Sequence, residues 1–517
     1  MKQSIEHEAK RLSIQTYLDS CKTALERNKL GQFATPSVLA RELLAFALPL
    51  LPEGQLIRFL DPAIGLGSFY AALLETNTDK PLYTAKGYEI DPHYGEPAKK
   101  LWAGLGLDIE LADFTKATPP IGGFNLLICN PPYVRHQHLK SDEKRQLQVK
   151  SQTTAGVKLS GLAGLYCYFL ALSHSWMSPG GIAGWLIPSE FMDVNYGQEL
   201  KRYLLEEVTL VRIHRFDPEE VQFNDALVSS AVVWFKRDKP PLGHTVEFSY
   251  GGTHADPIIS RNISTEALAN EAKWTRFPRK EIRTVANTPI LSDLFDIRRG
   301  IATGSNDFFI LTRQRIEELQ LPMECFRPIL PSPRHVETNE INSDKQGNPM
   351  LPQPLFLLDC RLPEQEVRKH YPTLWRYLEL GKEEIALRYL CKSRPIWYQQ
   401  ENRHPTLFVC TYMGRRDSRT GRPFRFLLNH SKAIVANSYL MLYPKPSVTH
   451  RISQTPELTR LLWQALNEIP VESLTDEGRV YGGGLHKLEP KEMANLPATY
   501  INELLAIHSN KLTKISQ

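Results

Sequence analysis

Asn130-Pro131-Pro132-Tyr133 follows a six-residue run, Phe124-Asn125-Leu126-Leu127-Ile128-Cys129, with Gly122-Gly123 in front of it. A short apolar run between glycines and prolines reads as a buried strand of a parallel sheet. Two successive prolines cannot extend the strand's hydrogen bonding, and they fix φ, so the loop after it is stiff. In an open α/β sheet such a loop lies at the carboxyl edge, where ligands bind. It can aim the Asn130 side-chain carbonyl and a backbone carbonyl of Pro131 or Pro132 at one point. An exocyclic amino group with two N–H bonds fits that point, and Tyr133 offers its ring as a stacking face.

Three earlier strand ends carry matching chemistry. Leu56 to Leu60 runs into Asp61-Pro62-Ala63-Ile64-Gly65-Leu66-Gly67-Ser68-Phe69 and then a helix. A strand, a glycine turn and a helix bring backbone close to a ligand at the helix N-terminus. The spacing is not that of the dinucleotide loop. Tyr83 to Glu89 ends in Glu89-Ile90, and an acid at this tip can accept from both ribose hydroxyls of a nucleoside. A third tip carries Asp113-Phe114, an acceptor for an adenine amino group beside an aromatic face. Upstream, residues 1–30 read as a helical lead-in, broken by Gly31-Gln32-Phe33-Ala34-Thr35-Pro36.

Downstream, 135–159 is polar and reads as a mobile surface loop. An apolar helix, three more strands near 182–188, 210–216 and 229–235, and a loop around Phe223 complete seven strands, the last two a closing pair. The expected fold is α/β, a doubly wound Rossmann-like domain over 1–240, then a linker with a small β element over 241–285. A mixed α+β domain over 286–517 completes the chain.

A chain of 517 residues exceeds one hydrophobic core. Residues 276–517 hold 34 Lys+Arg against 26 Asp+Glu, a net +8 beside −3 for 1–275, which points to a polyanionic partner for the second half. In 391–430, Lys392, Arg394, Arg403, Arg415, Arg416, Arg419, Arg422 and Arg425 face only Glu401 and Asp417. Trp397, Tyr398, Phe408, Tyr412, Phe424 and Phe426 lie among them. Basic residues interleaved with aromatics suit phosphate contact and stacking, or else a solvated basic face over a β core. The seven cysteines are odd in number and too far apart for a metal site, so no metal and a cytoplasmic setting are expected. The charged N-terminus is unlike a signal peptide, and no apolar run reaches membrane-span length.

Taken together, the chain resembles the N6-adenine DNA methyltransferases of restriction–modification systems, in the subgroup whose cofactor domain comes first. The resemblance covers most of its length. It implies S-adenosylmethionine as cofactor, held by Gln32, Thr35 and Pro36, by Asp61, Ala63, Gly65 and Gly67, by Glu89 and Ile90, and by Asp113 and Phe114. It implies catalysis at Asn130, Pro131, Pro132 and Tyr133, with Phe223 holding the flipped base edge-on. Ile297–Asn306 and Gly482–Leu488 resemble the two ends of the family's target-recognition domain. Arg298, Arg299, Thr303, Lys392, Arg394, Arg415, Arg416 and Arg419 are the candidate DNA contacts. Double-stranded DNA is the implied partner of a monomeric enzyme, and a restriction endonuclease its genetic partner. Methylation of RNA adenine or of a protein glutamine amide, and a silent DNA-specificity subunit, are the alternatives. The resemblance covers the second domain only at its ends, and its interior is where such enzymes diverge, so the target sequence is not legible.

Overall fold

The structure, a computed structural model, describes residues 2–77, 79–218, 229–278 and 288–515; side chains within 2–5 and 508–515 are not described. Phe223 and the loop around it lie outside the described residues. Two compact units divide the chain, 1–283 with 481–483, and 284–480 with 484–517.

The first unit is built on one nine-stranded sheet: β1 (Ile57–Asp61), β2 (Leu82–Glu89), β3 (Leu107–Leu111), β4 (Phe124–Cys129), β5 (Met177–Pro188), β6 (Thr209–Arg215), β7 (Ser230–Lys236), β8 (Thr245–Gly252) and β9 (Pro257–Ser264). Their order is 3-2-1-4-5-7-6-8-9. β3, β2, β1, β4 and β5 are mutually parallel, so the ends of β1 to β4 share one edge. The order reverses between β1 and β4, which is where open α/β sheets open a crevice. β4 is buried at every residue. Its side chains alternate between two cores: Leu126 and Ile128 pack on one face, Leu127 and Cys129 on the other. This two-sided burial is why the run is apolar throughout rather than alternating.

Two expectations need correction. The segment 241–285 is not simply a linker, because β8 pairs with β6 and β9 with β8, extending the sheet. Val246, Phe248 and Tyr250 alternate along β8 and are buried, a half-buried strand pattern that the prolines before it obscure. Residues 141–155 are a helix rather than a loop, ended by Gly156, whose N–H bonds back to Gln152 O and Ser151 O. Only Leu147, Ser151 and Ala155 of it are buried, a narrow stripe of mostly small residues that leaves little periodic signal.

The second unit contains a five-stranded sheet, ordered 295–299, 439–444, 408–411, 426–429 and 340–341, and a four-stranded one, ordered 310–312, 355–358, 326–330 and 434–435. Helices cover a core that includes Leu291, Phe408, Phe426, Leu442 and Leu462.

Candidate active site

The four strand ends converge on one cleft. After β1, the Asp61 carboxylate accepts from Ala63 N (3.1 Å). The turn is then fastened to β2: Gly65 N donates to Glu89 Oε2 (3.1 Å), Ile64 N to Tyr88 O (2.8 Å), and Asp91 N to Glu89 Oε1 (2.8 Å). Each Glu89 oxygen keeps acceptor capacity for a ligand hydroxyl. Gly67 has φ +83°, and a Cβ there would come within 2.6 Å of Trp102 Nε1. Trp102 is buried and donates to Leu66 O (3.0 Å). Gly67 therefore shapes the loop by packing; it does not line the cleft, whereas Gly65 does.

Among the described residues, the cleft is lined by five carboxylates, Asp19, Asp61, Glu89, Asp113 and Glu143, and by no lysine, arginine or histidine. Burial raises the Asp61 carboxyl to about 7, helped by the nearby Glu89 charge. Burial likewise raises Glu89 to about 6. A cation entering this space relieves both groups. Asp113 accepts from Thr115 N (3.0 Å) and Thr115 Oγ1 (2.7 Å), and pairs with Lys116 (3.1 Å). Phe114 is buried among Tyr88, Phe169 and Trp176 and shows only part of its surface to the cleft. The pair after β3 is thus a capped turn on an aromatic cluster as well as a cleft wall.

Asn130 stands at the end of β4. Its amide Nδ2 donates to Phe33 O (2.9 Å) and Thr35 Oγ1 (3.2 Å). A backbone carbonyl only accepts, so this network fixes which end of the amide is nitrogen. Oδ1 is left buried with no partner. An unsatisfied buried acceptor is costly, and since Asn130 lines the cleft this oxygen is available to a donor that enters it. The segment 31–36 thus holds the Asn130 side chain, a role its sequence did not disclose. Gly31 explains how the two segments approach: at φ +65°, a Cβ on it would lie 2.3 Å from Tyr133 N. The Tyr133 hydroxyl donates to Leu186 O (3.0 Å), and its ring sits 5.7 Å from that of Phe33.

Of the expected cofactor residues, Gln32, Thr35, Asp61, Ala63, Gly65, Glu89, Ile90, Asp113 and Phe114 line the cleft together with Asn130 and Pro132. Pro36 instead starts the helix Ser37–Ala47. Gln15, Asp19 and Glu143 also line it and carried no motif that would have revealed them.

In the second unit the basic residues separate by environment. Arg298, Lys392, Arg415, Arg416 and Arg419 are exposed. Arg299 is exposed too, lies 3.9 Å over the Tyr412 ring and donates to Asn437 O. Two expected DNA contacts are structural instead. Arg394 donates to Ala302 O (2.8 Å), Thr303 O (2.9 Å) and Trp397 O (3.3 Å). Thr303 is buried and its hydroxyl bonds to Asn306 Oδ1 (2.7 Å). Tyr398, Phe408, Tyr412, Phe424 and Phe426 are core residues with no face for a base. Gly482–Leu488 supplies the strand Leu485–Lys487, which pairs with Met413–Gly414.

Sheet order, acidic cleft and the Asn130 loop define a Rossmann-like methyltransferase. Residues 103–222 match the Eco57I restriction-modification methylase family, and 273–517 match the C-terminal domain of the Type II methyltransferase M.Eco57I. The chain belongs to this family of restriction–modification methyltransferases, whose substrate class is DNA. It is 28% identical over 486 residues to Type II methyltransferase M.AccI of Acinetobacter calcoaceticus, covering 90% of this chain and 85% of that protein. It is 26% identical to M.XamI of Xanthomonas campestris pv. amaranthicola, covering 92% and 86%. The fold is shared with the Type IIL restriction-modification enzyme MmeI, solved in complex with DNA, at a TM-score of 0.50 and 13% identity over 98% of this chain and 75% of that one.

Proposed function

We propose that this protein transfers a methyl group from S-adenosylmethionine to N6 of an adenine flipped out of duplex DNA, protecting host DNA at one site. It acts as a cytoplasmic monomer, with an endonuclease of the same specificity as genetic partner. The buried, unpartnered Asn130 Oδ1 carries this reading. The cofactor fits the residues present: it is a sulfonium cation with a ribose diol, and the cleft offers carboxylates, Glu89 at a strand tip among them, with no lining cation among the described residues. When bound it supplies a methyl group on positively charged sulfur.

The chain's own residues act on the amine. Adenine N6 is a poor nucleophile because its lone pair is delocalised into the ring. Asn130 Oδ1 accepts one N–H and a carbonyl of Pro131 or Pro132 accepts the other, drawing the nitrogen towards the pyramidal geometry that frees the lone pair. No side chain need remove a proton before attack, because the methylated nitrogen, then positively charged, loses one to solvent afterwards. The stiff loop fixes both acceptors, which supplies rate through orientation. A base inside a duplex cannot reach these groups, so it must leave the stack. Tyr133 stacks on it through the ring, since its hydroxyl is already bonded to Leu186 O. Replacing Asn130 with Ala should lower single-turnover methylation about a hundredfold or more, while calorimetry shows cofactor affinity nearly unchanged. Retention of the rate in that variant would remove Asn130 from the chemistry.

A further inference from the structure

We infer that the N-terminal helix Lys2–Ser20 is part of the cofactor site, with Gln15 and Asp19 as ligand-binding residues. The inference rests on the cofactor reading above and adds residues outside every motif that supports it. Glu8, Arg11, Gln15 and Asp19 are spaced by three, four and four, so they share one helix face. A polar stripe normally faces water, yet Glu8 and Arg11 are buried.

The stripe faces the site instead. Arg11 pairs with Glu8 (2.7 Å) and donates to Ser68 Oγ (3.0 Å) and Ser37 Oγ (3.2 Å). Ser68 begins the helix after the glycine turn, and Ser37 begins the helix after segment 31–36. One buried ion pair therefore ties this helix to both cofactor loops. Two turns on, Gln15 donates to Asp19 Oδ1 (2.9 Å), as does the Tyr94 hydroxyl (2.8 Å), and Gln15, Asp19 and Tyr94 all line the cleft. Just past the helix, Lys22 bonds to Gln32 Oε1 (3.1 Å) and pairs with Asp91, two residues beyond Glu89. The helix is thus fastened at both ends to the segments that hold the ligand. Between those ties Gln15 and Asp19 line the same space, and the Asp19 carboxylate, which also pairs with Arg27 (3.9 Å), keeps acceptor capacity for a cationic or hydroxyl-bearing ligand.

Titration calorimetry with S-adenosylmethionine and with 5′-methylthioadenosine, which lacks the amino-acid end and the positive charge on sulfur, tests this. The proteins are the full-length wild type, Glu89→Ala, Gln15→Ala and Asp19→Asn. Gln15→Ala and Asp19→Asn should each weaken binding about tenfold or more. Loss with both ligands places the contact at the nucleoside; loss with S-adenosylmethionine alone places it at the amino-acid end or the charged sulfur. If the wild type binds and Glu89→Ala does not, while Gln15→Ala and Asp19→Asn bind like the wild type, the helix is only structural and the inference falls. A wild type that binds neither ligand overturns the cofactor reading, and this inference with it. Should Asp19→Asn fail to fold, Gln15→Ala, which leaves the Tyr94–Asp19 bond intact, decides alone.

Discussion

At the scale of single residues, the site is organised by what is left unsatisfied. Asn130 keeps one buried acceptor open, and Asp61 and Glu89 hold their carboxyls where ionisation is costly. The sign of the pH dependence follows. Both groups have pKa values above the ordinary 3.8 and 4.5 in the folded protein, at about 7 and about 6. Their contribution to stability is present below those ordinary values and is lost as pH rises through about 6 to about 7. A bound cation favours the ionised forms, so cofactor affinity should rise from about pH 5 to about pH 7 while the ligand-free protein becomes less stable. Calorimetry and thermal melts across this range check both trends, and Asp61→Asn should flatten each; opposite slopes would contradict the assignment. Gly31→Ala should cost about 1–3 kcal/mol of stability, because it strains a left-handed backbone and meets Tyr133 N. Single-turnover rate should fall with it as the Asn130 loop shifts, and urea unfolding beside kinetics would show an indifferent site if neither changes.

At the scale of elements, β1 and β4 were legible as buried apolar runs, and the tips of β1 to β4 because each ends at a residue of distinct chemistry. What holds Asn130 was not, since Phe33 and Thr35 lie 97 and 95 residues away in sequence. The helix at 141–155 was missed because its buried stripe is narrow, and β8 because a proline pair precedes it. The basic stretch 391–430 was legible only as composition. A guanidinium that ties down carbonyls and one that faces solvent have the same letter. The distinction is testable. Arg394→Ala should destabilise the second unit by about 1.5–3 kcal/mol through loss of charge-assisted bonds. Arg419→Ala should leave stability within about 0.5 kcal/mol and reduce the slope of log affinity for DNA against log salt by about 0.9. Denaturant melts and salt titrations of both variants separate the two roles; the reverse pattern would exchange them.

At the scale of the whole molecule, the proposed chemistry and the proposed recognition fall in different stretches of chain. The acidic cleft and the Asn130 loop lie within 15–169, and the excess positive charge lies in 276–517. The division into two units was legible from charge and motif order, whereas the end of the first sheet was not, because β8 and β9 continue it beyond the expected end at 240. Recognition of a sequence is not legible at all: the exposed arginines are the proposed phosphate contacts, and phosphate contacts carry no base information. The central claim is that this chain by itself methylates adenine N6 in duplex DNA. The most direct measurement is nucleoside analysis of duplex DNA after incubation with the purified full-length protein and methyl-labelled S-adenosylmethionine. The predicted result is label in N6-methyladenine alone, at a single recurring site, absent with Asn130→Ala. Label in N4-methylcytosine, or label incorporated into RNA or protein while duplex DNA stays unmodified, would contradict it.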